Sequence, residues 1–273
     1  MSEHAPEISG DNQTPLKKIQ RAMILRAMIL AAGLGTRLRP ITLERPKPLV
    51  AVGGVTMLDH ALTRLKHVGV EHVVINMHYL ADQIIAHTAK LSSPKITLSD
   101  ERGVLLETGG GVKKALPLLT SELGSAPFWL MNSDSLWLEK QDQALTNMKA
   151  FWNPQQMDIL LLLANRATSL GYDGSGDFHL SDEKQLSRKG AAKNAPYIYA
   201  GVAILKPELF DNTPSDAFSL NILFDRALEK KRLYGFELDG TWLHVGTPQG
   251  LEDAERVIKE YSKQSANVNN TCT

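Results

Sequence analysis

A chain of 273 residues, 43% of them hydrophobic, can bury one large core or two small ones. Thirty basic and thirty acidic side chains balance, so charge gives no support to a nucleic-acid binder or a polybasic membrane patch. The single cysteine, Cys272, has no internal partner, the longest apolar run is only Ile159 to Ala164, and the start lacks a signal peptide. These features together predict a soluble cytoplasmic protein.

Met1 to about Gln20 is polar, contains Pro and Gly and has no apolar period; we expect disorder there. The pentapeptide RAMIL then occurs twice, at Arg21–Leu25 and Arg26–Leu30, and runs into a glycine-rich turn. Strand side chains repeat every two residues, so an offset of five puts equivalent residues on opposite faces. The turn fixes the register from its own end, which makes the second copy the strand. The first copy is read as a partly ordered lead-in, because threading it into the core would draw in Arg26 at a large desolvation cost.

Beyond the turn, Met57, Leu58, Ala61, Leu62 and Leu65 share one helical face, EHVVIN is a strand and LADQIIAHTAK a helix. KITLSD is a strand, GGGVKKALPLL opens a helix, PFWLMN is a strand followed by a helix to about Trp152, and DILLLLAN is a buried strand. In the second half YIYAGVAIL, YGFEL and TWLHV read as strands, Ser219–Lys230 as a helix and Pro248–Tyr261 as the closing helix. The alternation predicts an α/β fold, a Rossmann-like mixed but mostly parallel sheet flanked by helices. The expected organisation is a disordered extension 1–25, one domain 26–262 and a disordered tail 263–273. Trp129, Trp137 and Trp152 are expected in the core rather than as stacking platforms.

A glycine-rich turn after an apolar strand offers backbone N–H groups to phosphate. Here it reads AAGLGTRLRP, which lacks the Gly-Lys-Ser/Thr of a Walker loop and the third glycine of a dinucleotide fingerprint. Arg37 follows Gly35 closely, and Lys47 stands between Pro46 and Pro48. Two cations on a stiffened loop suit a polyphosphate.

The run A-A-G-x-G-T-R-x-x-P, followed by P-K-P-L-V, resembles the signature of sugar-1-phosphate nucleotidyltransferases. LETGGG (Leu106–Gly111), NSD (Asn132–Asp134) and TWLHVGTP (Thr241–Pro248) extend the resemblance over about Arg26 to Tyr261. The branch it resembles most is the N-acetylmuramate-1-phosphate uridylyltransferases. The resemblance implies a nucleotidyltransferase fold and, as partners, a nucleoside triphosphate and a sugar-1-phosphate, with no nucleic acid and no membrane. It also implies an in-line attack on the α-phosphorus with release of pyrophosphate, so that positioning and charge stabilisation dominate. UTP and N-acetylmuramate-1-phosphate, in cell-wall recycling, are the leading substrates. Guanylyl transfer to mannose-1-phosphate and thymidylyl transfer to glucose-1-phosphate are the alternatives, and a silent nucleotide-sugar sensor is a further one.

By the same resemblance Gly33, Gly35 and Thr36 line the triphosphate, Arg37 neutralises the leaving pyrophosphate and Lys47 the α-phosphate region. Gln83, Thr108 and Gly109 border the base, Asn132 touches nucleotide or sugar, and Gly176 and Gly201 lie near the sugar. Asp134 holds Mg²⁺ at a strand end. Ser133 stands where many relatives carry Gly and needs only a backbone angle that Ser can adopt. His244 stands where many relatives carry a second metal-binding Asp, and imidazole is a poor ligand for hard Mg²⁺. Three readings stay open: His244 binds through water, it favours a softer ion such as Mn²⁺, or Asp239 supplies the carboxylate. Asp134 with His244 beside the metal is the expected arrangement.

Overall fold

The computed structural model describes residues 24–120, 126–139 and 141–270, with side chains only as far as 263. In chain order the strands are β1 (Arg26–Leu30), β2 (Ala51–Val52), β3 (Val55–Thr56), β4 (His72–Met77), β5 (Lys95–Asp100), β6 (Phe128–Asn132) and β7 (Ser135–Leu138). They continue with β8 (Ile159–Asn165), β9 (Phe178–Leu180), β10 (Leu186–Arg188), β11 (Tyr197–Leu205), β12 (Leu233–Glu237) and β13 (Thr241–His244). The helices are α1 (Met57–His67), α2 (Ala81–Thr88), α3 (Glu107–Thr120), α4 (Ala144–Phe151), α5 (Asn221–Glu229) and α6 (Pro248–Asn270).

The main sheet follows the order β10-β9-β11-β6-β1-β4-β5, with β8 between β11 and β12. β1 pairs in parallel with β4 and β6, and β4 with β5; β11 is antiparallel to both β6 and β8. Alternation along β1 sends Ala27 and Ile29 to one core cluster and Met28 to the other. The first cluster takes Leu58, Leu62 and Leu65 of α1, Ile84 of α2 and Met148 of α4. Its counterpart takes Val112, Ala115 and Leu119 of α3 with Leu223 and Phe224 of α5. The sheet is therefore covered on both faces, which is why its central strands are apolar throughout. Trp129, Trp137 and Trp152 are all in the core, as expected.

A third cluster, under α6, joins Leu38, Val50, Leu136, Leu243 and Ala254 and packs the two-stranded β7–β13 ladder against the glycine loop. The sequence places a helix directly after β6; β7 intervenes because Leu136 buries in this layer while Trp137, on the other face of the strand, buries in the first cluster. The short hairpins β2–β3 and β9–β10 were also not foreseen, their strands being too short for a period to show.

Structured chain runs past both expected ends of the domain. The second RAMIL copy is the strand, but Ile24 of the first copy is fully buried and the Leu25 carbonyl accepts from the Glu71 N–H at 2.9 Å. Ordered chain thus reaches back into the expected extension, the rest of which lies outside the described residues. Arg26 is itself buried, and the feared cost is offset: its Nη1 donates to the Leu118 carbonyl at 2.7 Å in the last turn of α3, where a cation is favoured. At the other end α6 continues to Asn270, since no Pro or Gly interrupts the stretch after Tyr261; residues 271–273 lie outside the described residues. No helix among the described residues is long and apolar enough to cross a membrane.

Candidate active site

The carboxyl ends of β1, β4 and β6 meet at one crevice, where the chain, having crossed from β1 to β4 on one side, later returns to β6 on the other. Open α/β sheets bind ligands at such a switch point. A cleft of about 280 Å³ opens there. Gly33, Gly35, Lys47, Thr108, Asn132 and Asp134 line it, and all six were expected at the site.

The loop after β1 owes its shape to contacts on its far side. Gly35 has φ +63°, and a Cβ there would meet Thr42 Cγ2 at 3.0 Å and Lys47 Cβ at 3.1 Å. Only glycine combines that angle with that approach. The fully buried Thr42 donates its hydroxyl to the Gly35 carbonyl at 2.8 Å. Gly33 has nothing within 4 Å of its missing Cβ, so its backbone is open. Thr36 and Arg37 begin an exposed 3-10 turn, Thr36–Leu38, anchored by the buried Leu38.

A second 3-10 turn, Lys47–Leu49, buries Pro48 and Leu49 and holds the Lys47 stem. The Lys47 ammonium is directly hydrogen-bonded to Asp134 Oδ2; the two side chains are 13% and 33% exposed. Burial pushes the Asp134 carboxyl up, but the charge and hydrogen bond of Lys47 outweigh it, and the net shift is downward. Asp134 follows Ser133, which is buried, avoids positive φ and donates its N–H to the Leu30 carbonyl at 3.1 Å. Serine is therefore no obstacle at this turn.

In the β7–β13 ladder Ser135 is opposite His244 and Leu138 opposite Thr241. His244 therefore stands at the Asp134 end. Asp239 lies beyond the other end, next to Gly240, whose missing Cβ faces the Leu138 carbonyl. Asp239 thus lies outside the ladder at the end away from Asp134 and does not line the cleft, so register favours His244 over Asp239 as the neighbour of Asp134.

His244 packs against the Trp242 ring at 5.2 Å and edge-on to Tyr172 at 6.0 Å, centroid to centroid. Burial holds its pKa below the ordinary histidine value; Asp134 and Asp173 oppose that shift, while Arg37 and Lys47 reinforce it. All four charges are thus within electrostatic reach of the imidazole, although Arg37, on its exposed turn, does not line the cleft.

Not every expected residue reaches the cleft. Gln83 on α2 is exposed and donates to the Glu44 carbonyl at 2.8 Å, away from the cleft wall. Gly109 is buried, its N–H taken by the Phe218 carbonyl at 2.8 Å. The Thr108 hydroxyl accepts from the Leu220 N–H at 3.0 Å while the residue still lines the cleft. Gly201 lies behind Asn132: at φ +79°, its missing Cβ would sit 2.9 Å from Asn132 Nδ2. Gly176 is a buried turn glycine packed on the Ala195 carbonyl and does not line the cleft.

Asn76, Leu105 and Glu107 also line the cleft and were missed. Asn76 looked like the end of an apolar strand. Glu107 opens α3 with φ +56°, an angle that non-glycine residues seldom adopt and that no residue pattern announces.

Among the described residues no group of three or more His, Cys, Asp or Glu could hold a metal ion by itself. One carboxylate and one neighbouring imidazole fit a divalent cation only if substrate oxygens complete the shell.

Comparison with known proteins agrees with this geometry. The chain is 44% identical over 238 residues to the N-acetylmuramate alpha-1-phosphate uridylyltransferase of Caulobacter vibrioides, covering 86% of this chain and 97% of that one. It is 33% identical over 234 residues to the enzyme of the same name from Neisseria meningitidis, covering 85% and 97%. A solved structure described as a putative glucose-1-phosphate thymidylyltransferase from Bacillus anthracis shares the fold, with a TM-score of 0.70 at 18% identity over 85% of this chain and 94% of the other. The nucleotidyl transferase profile matches residues 26–261, almost the whole described chain, and on this ground the protein belongs to the nucleotidyl transferase family.

Proposed function

We propose that this enzyme transfers a uridylyl group from UTP to N-acetylmuramate-1-phosphate, releasing pyrophosphate, as a cytoplasmic step of cell-wall recycling. The observation that carries the chemistry is the Lys47–Asp134 pair at the wall of the glycine-loop cleft. The choice of substrates is supported by the two uridylyltransferase relatives, which span this chain almost end to end.

In the reaction a sugar-phosphate oxygen forms a bond to the α-phosphorus of UTP as the bond from that phosphorus to the bridging oxygen of pyrophosphate breaks. Loop N–H groups around Gly33 and Gly35 bind the triphosphate, with Thr36 beside them. Arg37 neutralises the charge gathering on pyrophosphate. Lys47 turns from Asp134 to the α-phosphate, where charge builds in the transition state. Asp134, held ionised, and His244 would hold a divalent ion, Mg²⁺ or Mn²⁺, which would supply positive charge to neutralise the phosphates. Thr108 borders the nucleoside, and Asn132, braced by Gly201, meets nucleotide or sugar. Gln83, Gly109 and Gly176 stand off the cleft, held by Glu44, Phe218 and Ala195 respectively.

The test is a pyrophosphate-release screen of UTP, GTP, CTP and dTTP against N-acetylmuramate-1-phosphate, N-acetylglucosamine-1-phosphate, mannose-1-phosphate and glucose-1-phosphate. UTP with N-acetylmuramate-1-phosphate should exceed every other pair by at least tenfold in kcat/KM. Faster turnover of GTP with mannose-1-phosphate, or of dTTP with glucose-1-phosphate, would overturn the substrate reading. No turnover with any pair would overturn catalysis itself and leave a sensor.

A further inference from the structure

At the floor of the cleft lies a polar chain of three groups, each almost fully buried. The Ala31 N–H, at the root of the glycine loop, donates to Asn76 Oδ1 at 2.7 Å. Asn76 Nδ2 donates in turn to Glu101 Oε1 at 2.7 Å. Asn76 is 2% exposed and Glu101 1%. Since the Ala31 N–H can only donate, the amide oxygen of Asn76 must face it and the amino group must face Glu101. The polarity of the chain is therefore fixed.

Two further features show that the surrounding structure is built around this chain. A Cβ on Gly111 would lie 2.8 Å from Glu101 Oε1 and 2.9 Å from Asn76 Nδ2, so the third glycine of the cluster leaves room for both. The Glu101 backbone is pinned as well, its N–H donating to the Met77 carbonyl at 2.8 Å and its carbonyl accepting from His78 Nδ1 at 2.7 Å. From Glu101 the chain enters the 102–107 loop, whose Leu105 and Glu107 form the opposite wall of the cleft; Glu101 Oε2 accepts from the Leu106 N–H at 3.4 Å.

We infer that the Asn76–Glu101 relay is a positioning device for the nucleotide, tying the glycine loop to the 102–107 loop so that both walls are set before the nucleotide arrives. It rests on the nucleotide-binding reading of the cleft. Buried polar chains are worth most when every member is satisfied and lose most when one is not. Breaking the relay frees the two walls independently, so UTP must order both on binding.

The test exploits the fixed polarity. N76D keeps the acceptor for Ala31 but sets a carboxylate against Glu101, an arrangement that worsens as pH rises and both acids ionise. In N76D/E101Q the introduced carboxylate accepts from the Ala31 N–H and from the introduced amide, restoring the chain with its second bond reversed. With the full-length protein, N76D should raise the KM for UTP at least tenfold, increasingly with pH, with the KM for the sugar-1-phosphate within threefold of wild type. N76D/E101Q should return the UTP value to within threefold. A double variant no better than N76D, or equal increases in both KM values, would overturn the relay as a nucleotide-positioning device. Should N76D not fold, Glu101→Ala, which adds no charge, takes its place; a wild-type KM for UTP in folded E101A is equally fatal. Hydrogen exchange of the Ala31 amide in the free protein gives a readout independent of the substrate. Protection should fall in E101A and return in the double variant, and unchanged protection in E101A would overturn the relay even if UTP proved to be the wrong nucleotide. Loss of UTP turnover in the wild type itself would overturn the substrate reading, with the exchange result still deciding the relay.

Discussion

The four-residue strand β7 has an ion pair at each end, and the two are built oppositely. At its start Asp134 meets Lys47, with the carboxylate one-third exposed and open to the cleft. Just past its end the Glu139 carboxylate accepts from Arg64 Nη1 at 2.9 Å, Trp137 Nε1 at 2.5 Å and the N–H groups of Gln143 and Ala144 at 3.1 and 2.8 Å. Arg64 in turn donates to Asp142 at 2.7 Å and to the Trp137 carbonyl at 2.7 Å, and its guanidinium stacks over the Trp137 ring at 3.8 Å. The Glu139 end is saturated and closes the start of α4. The Asp134 end keeps unused bonding capacity. Saturation marks scaffold, and spare capacity facing a cleft marks a place for a ligand.

Substitution should separate the two ends by what is lost. At the open end, Lys47→Ala and Arg37→Ala should each lower kcat by roughly a hundredfold or more, the scale of removing one charge-stabilising donor. Asp134→Asn should abolish divalent-dependent turnover. In all three the loss of turnover should far exceed the loss of thermal stability. A Lys47→Ala enzyme with wild-type kcat would break the comparison at once. The Lys47–Asp134 pair also has a pH signature. Asp134 has a lowered pKa in the folded state, so its contribution to stability is present above the ordinary carboxylate range and is lost as pH falls through the lower folded value. Lys47→Met should flatten that acid limb.

At the closed end the expectation reverses. Arg64→Met leaves Glu139 buried without its cation, and loss of one member of such a pair costs about 3 kcal/mol. Urea unfolding should show that loss, with kcat within threefold of wild type. Arg64→Lys should recover little, because an ammonium can neither make the same set of bonds nor stack on Trp137. A wild-type midpoint for Arg64→Met would show that the saturated cluster is not structural.

How much of this was legible beforehand follows the same division. The glycine loop, Lys47 and Asp134 could be read because phosphate chemistry constrains neighbouring residues to one short pattern. The alternating strands could be read because burial on both faces forces long apolar runs. Arg64 with Glu139 and Asn76 with Glu101 could not, for they join residues 75 and 25 positions apart and leave no local period. Arg26 misled for the same reason: its burial is offset by the Leu118 carbonyl, 92 positions away. Gly109 was assigned to the base, whereas its buried place is set by Phe218, a contact no local pattern encodes.

A smaller effect sharpens the contrast within the core. The Tyr199 hydroxyl is buried without a hydrogen-bond partner among the described residues, and burial pushes its pKa up. Its ring packs edge-on to Phe224 at 5.4 Å. Tyr199→Phe keeps the ring and removes an unsatisfied group, so the protein should gain up to about 1 kcal/mol. Destabilisation by that change would show that the hydroxyl has a partner after all.

The last test sets the two ends of β13 against each other, since the open question about the metal falls along that strand. His244 stands at the Asp134 end and Asp239 beyond the opposite one, beside the saturated cluster. Asp239→Asn should therefore leave the Mg²⁺ dependence of turnover unchanged, whereas His244→Ala should raise the Mg²⁺ needed for half-maximal rate by severalfold. His244→Asp should lower it below wild type, because an anionic oxygen suits a hard cation better than a neutral nitrogen. The sign of the pH effect follows from burial. The folded imidazole has a pKa below the ordinary value of about 6.5, so the unfolded chain takes up the proton first, and this residue costs the folded state stability as pH falls below that value. His244→Asn should make the decline in Tm below that pH shallower, and Asp239→Asn should not. Magnesium titrations in which His244→Ala and His244→Asp both match wild type would remove His244 from the cation; an Asp239→Asn enzyme as impaired as Asp134→Asn would overturn the register argument that separates the two ends.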